Sequence, residues 1–246
     1  MRENKYDHDD FFEKYSNFPR SREGLNAAGE WHELRKLLPG FQGKRVLDIG
    51  CGFGWHCIHA AEQGATYVLG TDISAKMLAV AGEKTDHSNV EYRRVAMEDL
   101  DFAPGSFDVA ISSLAFHYTP DFRDICRRIA SWLTADGDFV FSVEHPVFTA
   151  EGTQEWCRDG AGHPKHWPVD DYFHEGGRDA VFLGEHVVKY HRTVATYLNT
   201  LLETGFAITG IVKPRPAEHL LDAVPGMRDE LRRPMMLLVA ARRVVK

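Results

Sequence analysis

The segment Val46-Leu47-Asp48-Ile49-Gly50-Cys51-Gly52-Phe53-Gly54 constrains this chain more than any other. An apolar run ending in three alternating glycines reads as a buried strand that breaks into a tight turn, because glycine reaches left-handed backbone conformations without steric cost. A helical pattern follows from Gly54 to Gln63. Strand, glycine turn and helix in that order put the turn at the carboxyl edge of an open α/β sheet, where such sheets bind ligands. Asp72 closes the next apolar run, about 20 residues on, the separation at which a carboxylate takes the ribose hydroxyls of an adenosine.

The flanking sequence supplies the sheet. Strands are predicted over Lys44 to Ile49, Thr66 to Thr71, Val90 to Val95, Phe107 to Ser113 and, after a turn at Asp136-Gly137, Phe139 to Glu144. Helices over Ser74 to Lys84 and Asp121 to Leu133 complete the βαβ rhythm of a parallel sheet. The rhythm breaks between His145 and Tyr190, a stretch holding Trp156, Trp167, Tyr172, Phe173 and a hairpin around Gly184-Glu185. A long irregular stretch inside a compact domain is expected to be a lid or binding insertion, so residues 145–191 read as a substrate cap whose aromatic content suits an apolar pocket. Regular pattern returns with a helix from Thr193 to Glu203, a strand from Phe206 to Val212 and a further strand from Met235 to Ala241. Ahead of the glycine turn, Leu25, Ala28, Leu34, Leu37 and Leu38 mark an amphipathic helix stopped by Pro39-Gly40, and residues 1–40 read as a helical cover.

The length of 246 residues suits a single domain over 1–246. A net charge of −7 argues against a nucleic-acid partner, which draws on a concentrated basic surface. No apolar run approaches the roughly 20 residues of a spanning helix, and the acidic start lacks the apolar centre of a signal peptide, so a cytoplasmic protein with no membrane partner is expected. Cys51, Cys57, Cys126 and Cys157 form no C-x-x-C pair, and His163-Pro164-Lys165-His166 has no carboxylate or cysteine at ligand spacing, so no metal is expected.

A dinucleotide site is the rival for the glycine turn. Its G-x-G-x-x-G fingerprint needs a third glycine where this chain has Trp55, whereas Gly54 completes G-x-G-x-G behind Asp48. With Asp48 to Gly54, Asp72-Ile73-Ser74, Ala96-Met97-Glu98-Asp99-Leu100 and Ser106-Phe107-Asp108-Val109 in order, the chain resembles the class I S-adenosylmethionine-dependent methyltransferases. Within them it is most similar to the small-molecule branch related to ubiquinone and menaquinone biosynthesis, over about Lys44 to Glu144 and more loosely beyond.

The resemblance implies a Rossmann-like, mostly parallel seven-stranded sheet in order 3-2-1-4-5-7-6, the last strand antiparallel, with helices on both faces and the cap after strand 5. It implies S-adenosylmethionine as cofactor and S-adenosylhomocysteine as product. Gly50, Cys51, Gly52 and Gly54 would run beneath the methionine and ribose, Asp48 would steady the loop, and Asp72 would hold the ribose hydroxyls. Ile73, Met77, Met97 and Glu98 would surround the adenine, although relatives often carry Asp-Ala where this chain has Ala96-Met97. Ser113 and Leu114 would reach the methionine end, and Tyr15 and Arg22 would close over the cofactor.

Neither the Asn/Asp-Pro-Pro-aromatic motif of enzymes acting on bases or amides nor the double-glutamate loop of arginine methyltransferases follows the fourth strand, where Ser112 to Tyr118 stand. A small-molecule substrate, methylated on O, N or C by in-line displacement, is therefore expected, with a monomer or homodimer as the assembly. His117, His145 and His191 are the candidate acid–base or orienting residues, beside Tyr190 and Arg192. An NAD(P)-dependent oxidoreductase and a non-catalytic S-adenosylmethionine-binding protein stay open as alternatives.

Overall fold

A computed structural model describes residues 4–244. Val46, Leu47 and Ile49 are fully buried, as a strand covered on both faces requires, and form β1 (Arg45–Ile49). α4 (Trp55–Glu62), β2 (Tyr67–Asp72), α5 (Ala75–Lys84), β3 (Val90–Arg94) and β4 (Phe107–Ser113) follow. Next come α6 (Phe122–Trp132), β5 (Leu133–Glu144), α7 (Pro146–Thr149), β6 (Cys157–Arg158), β7 (Pro164–His166), β8 (Gly176–Phe182) and β9 (Glu185–His191). α8 (Val194–Glu203), β10 (Phe206–Val212), α9 (Glu218–Ala223) and β11 (Met236–Arg243) complete the order.

Seven of these strands make one sheet in the order β10-β11-β5-β4-β1-β2-β3. β1 to β5 pair in parallel, and β11 runs antiparallel to both β5 and β10. Counted along the chain, this is the expected 3-2-1-4-5-7-6 with an antiparallel last strand. α6 shows how a helix is bound to the sheet. Asp121 caps it by accepting from the Asp124 N–H at 2.9 Å, and Phe122, Ile125, Ile129 and Trp132 recur on one buried stripe. That stripe packs with Tyr197 and Leu201 of α8 on Leu47, Phe139 and Phe141 of one sheet face. The opposite face receives Cys57 and Ala60 of α4 on Val46, Val68 and Val109, and Trp31 and Leu34 on Val140 and Leu238.

The structure differs from the sequence reading in three places. The segment read as one helix around Leu25 to Leu38 is a 3-10 turn over Gly24–Ala27 and a separate α3 (Trp31–Leu37), broken at Gly29-Glu30. Two more helices precede it, α1 (Asp9–Ser16) and α2 (Pro19–Glu23), the latter begun by a proline that suits a first helical turn. Residues 1–3 of the expected cover lie outside the described residues. β5 starts at Leu133 rather than Phe139, because the left-handed Asp136 (φ 59°) is accommodated as an irregularity between the Phe107↔Leu133 and Val109↔Asp138 pairs. In the hairpin, Glu185 pairs with Phe182, and the turn is Leu183-Gly184, both at positive φ as a two-residue hairpin turn demands. Among the described residues no helix is long and apolar enough to cross a membrane.

Candidate active site

The glycine turn leaves β1 with Gly50, Gly52 and Gly54 all at positive φ, 73°, 51° and 76°. The Gly50 and Cys51 N–H groups donate to the Thr71 carbonyl at 2.8 and 2.9 Å, tying the turn to the end of β2. A Cβ at Gly50 would lie 2.5 Å from the Ala115 Cβ, and one at Gly54 would lie 2.2 Å from the Tyr92 hydroxyl. At Gly52 a Cβ meets nothing within 4 Å. Gly54 is thus a packing residue, whereas Gly50 and Gly52 line a cavity of about 460 Å³ that opens over the carboxyl edge of the sheet.

At one end of this cavity stands Asp72. Its carboxylate accepts from the Gly52 N–H at 3.0 Å and the Ser74 N–H at 2.9 Å, and burial raises its pKa against these bonds. Two oxygens with one backbone donor each retain lone pairs for a ligand's hydroxyls. Ile73, Met77, Met97, Glu98, Ser113, Leu114 and Tyr15 line the same cavity. Asp48 and Cys51 do not. Asp48 is buried behind the turn, where burial raises its carboxyl to about 7 and one oxygen accepts from the Cys57 thiol at 3.3 Å while the other has no partner. Cys51 faces a small adjoining space of about 60 Å³.

The cover contributes a cation two residues away from the expected one. Arg22 is exposed, whereas Arg20 lines the cavity and donates to Glu30 at 3.0 Å. Glu30 is 1% exposed, and its second oxygen is unpartnered. Tyr6 and Lys5 also reach the cavity from a 3-10 turn (Lys5–Asp7) fastened by Asp7, which accepts from the Ser74 hydroxyl and the Ala75 and Lys76 N–H groups at the start of α5.

The far end of the cavity runs under residues 145–191. His117 lines it from a 3-10 turn (Phe116–Tyr118) that Arg192 holds by donating to the Phe116 and Thr119 carbonyls. Burial lowers the His117 imidazole to about 4, and its Nδ1 has no hydrogen-bond partner. Next to it in the lining, Lys189 donates to Glu144 at 2.5 Å and to Gln154 at 3.0 Å, and Gln154 donates to the other Glu144 oxygen at 2.8 Å. Burial alone would raise the Glu144 carboxyl, but the attraction of His117 and Lys189 with these two bonds brings it below its usual range. Phe148, Phe182, Val187, Met235 and Met236 supply apolar wall.

The other two candidate histidines lie outside this lining. His145 caps α7, its Nδ1 accepting from the Val147 N–H at 3.1 Å, and burial lowers its pKa to about 4. His191 places Nε2 2.9 Å from the Tyr172 carbonyl, which can only accept, so Nδ1 accepts from the Thr149 hydroxyl at 2.7 Å. Both of its nitrogens are committed. Sequence reasoning missed Glu144, Gln154, Lys189, Arg20 and Glu30. A signal for Lys189 was present, since Val187, Lys189 and His191 alternate on one strand face and that face is buried.

Known proteins resemble this chain in sequence and fold. Residues 47–141 match the profile of a methyltransferase domain. A solved Listeria monocytogenes protein assigned as an S-adenosylmethionine dependent methyltransferase is 55% identical, with a TM-score of 0.86 over 90% of this chain and 100% of its own. An S-adenosylmethionine dependent methyltransferase from Mesorhizobium loti is 45% identical, with a TM-score of 0.83 over 89% of this chain and 100% of its own. A ubiquinone biosynthesis O-methyltransferase of Neisseria meningitidis is 38% identical over 106 residues, 42% of this chain and 44% of that protein's length.

Proposed function

The chain belongs to the S-adenosylmethionine-dependent methyltransferases, and we propose that it methylates a small molecule held between the donor and the 145–191 cap. The observation that carries this reading is the single cavity that runs from Gly50, Gly52 and Asp72 to His117, Glu144 and Lys189. An acceptor at the far end would share one space with the donor, as in-line displacement requires. The net charge of −7 supports a small acceptor over nucleic acid.

The residues present fit the donor. Gly52 leaves open space where a side chain would stand, and Asp72 keeps free lone pairs at the end of β2. In this reading Asp72 takes the ribose hydroxyls, Ile73, Met77, Met97 and Glu98 surround the adenine, and Gly50, Gly52, Ser113 and Leu114 flank the methionine. Arg20 faces the methionine carboxylate, with Glu30 holding the guanidinium. Tyr15 and the Lys5–Asp7 turn cover the donor, so the described part of the N-terminal cover, residues 4–40, acts as its lid and residues 145–191 as that of the acceptor. Asp48, Cys51 and Gly54 shape the turn from behind.

When bound, S-adenosylmethionine supplies an electrophilic methyl group on a sulfonium. His117, neutral because of its burial, lines the acceptor end and is the ring positioned to orient the acceptor or take its proton. The apolar wall and the cap exclude water from the reacting atoms. Isothermal titration with S-adenosylmethionine and S-adenosylhomocysteine, followed by acceptor-dependent release of S-adenosylhomocysteine from a panel of phenols, amines and acids, tests the reading. Nucleotide binding without acceptor-dependent product across the panel would favour a non-catalytic binding protein instead.

A further inference from the structure

The N-terminal cover and one part of the cap are joined to each other outside the cavity. Phe11 of α1 is 1% exposed and lies outside the cavity lining, and it packs with Ala180 of β8 and Val187 of β9 in one small apolar cluster. Its ring meets the Phe182 ring edge-on at 5.9 Å, and Phe18, between α1 and α2, stacks on the same Phe182 at 6.0 Å. One turn further along α1, Lys14 donates to the Leu183 carbonyl in the hairpin turn at 3.1 Å.

The other part of the cap is held from a different direction. Arg232 donates to the Pro164 and Lys165 carbonyls of β7 at 2.8 and 2.6 Å. The Arg233 guanidinium, fixed by Glu230, lies 3.9 Å from the centre of a Trp167 ring, and Trp167 meets Trp156 at 5.3 Å. These contacts tie β6 and β7 to the segment ahead of β11 and not to the cover. Resting on the reading that the nucleotide lies between Asp72 and the cover, we propose that residues 145–191 divide in two. β6 and β7 are a fixed wall, and the β8–β9 hairpin is a gate that the donor closes through the cover, with Phe11 as the positioning residue that couples them.

The nucleotide site is built from two sides. Gly52 and Asp72 belong to the edge of the sheet, whereas Tyr15, Phe18 and Arg20 face the same cavity from the cover. A ligand that bridges the two sides binds best when the cover is down, and so adds its binding free energy to that arrangement. If the hairpin stayed in place while the cover lifted, the buried faces of Phe11, Ala180 and Val187 would all be exposed to water. The hairpin therefore follows the cover, and the two open as one cooperative unit. Loading the donor seats the hairpin, and an empty donor site leaves it free to loosen.

Hydrogen exchange of the full chain, read by mass spectrometry with and without S-adenosylhomocysteine at about 100 times its dissociation constant, tests the division. Exchange through the shared opening should slow by up to about 100-fold in α1, β8 and β9, and by less than about threefold in β6 and β7. Phe11→Ala should still bind the nucleotide by calorimetry yet lose at least about tenfold of that slowing in β8 and β9, with Phe11→Leu restoring most of it. A second measurement needs no variant. In the wild-type chain at low urea, α1, β8 and β9 should exchange through one opening with a common urea dependence, and β6 and β7 through another. Exchange in β8 and β9 unmoved by bound nucleotide, equal slowing in Phe11→Ala, or separate openings for α1 and the hairpin would each overturn the coupling and leave the donor site standing. Equal slowing of β6 and β7 would overturn the division of the cap. Failure of the nucleotide to bind at all would overturn the donor reading on which the inference rests.

Discussion

Asp72 is the residue on which the donor site can be tested most directly. Its two backbone bonds, from Gly52 and Ser74, place a buried carboxylate at the end of β2 with spare lone pairs. Asp72→Ala is expected to weaken S-adenosylmethionine binding by about 1–3 kcal/mol through lost charge-assisted hydrogen bonds. An unchanged dissociation constant by calorimetry would place the ribose elsewhere. The position of Asp72 was legible because a strand end and a turn glycine are local facts of sequence. Arg20, Glu30, Glu144 and Lys189 were not, because each acquires its meaning from a partner 10 to 45 positions away that only tertiary packing brings near. The histidines show the same limit. His117, His145 and His191 were all candidates in sequence, and the structure separates them by whether their ring nitrogens are held by structural partners and whether the ring lines the cavity.

At the scale of the element, the strand–turn–helix unit that begins with β1 divides its glycines between packing and binding. Gly54→Ala forces a methyl onto Tyr92 and Ala81 at positive φ, so a loss of about 1–3 kcal/mol in stability is expected in urea melts. Gly52→Ala meets open space, so its stability cost should stay near the roughly 1 kcal/mol of a left-handed alanine. Its methyl enters the cavity instead, and the nucleotide should bind about tenfold or more weakly. Equal effects of the two substitutions on both measurements would erase the distinction. Elements of this kind were read well from periodicity, since β1, β2 and β4 are buried runs closed by turn residues. The covering helices were read poorly because α1 and α2 are short and polar, and their packing surface comes from the folded core rather than from their own pattern.

For the whole molecule, buried imidazoles set the response to acid. Burial lowers His56, His117 and His145 to about 4, and lowers His59 and His191 as well. Below the ordinary histidine pKa of about 6.5 the unfolded chain binds these protons and the folded one does not, so stability falls as pH drops from there toward 4. Asp48 and Asp72, raised by burial, act in the opposite sense but are fewer. Each of the three strongly lowered imidazoles contributes up to about 1.4 kcal/mol per pH unit in that window. The urea midpoint at pH 5 should therefore lie well below that at pH 7, and a flat profile would contradict the burial of these rings.

The seam between β5 and β11 carries a consequence in time as well as in space. Its register joins Phe141 to Val239 and Glu144 to Met236, so closing it brings together segments about a hundred residues apart, the kind of contact that forms late in folding. Glu144 and Met236 both line the cap end of the cavity, whereas the donor end is built on β1, β2 and β4. The nucleotide-binding half closes over shorter separations, Val46 to Val68 and Val109, and can mature before the acceptor chamber. Pulse-labelled hydrogen exchange during refolding should protect the amides of β1, β2 and β4 before those of β11, and simultaneous protection would remove the delay.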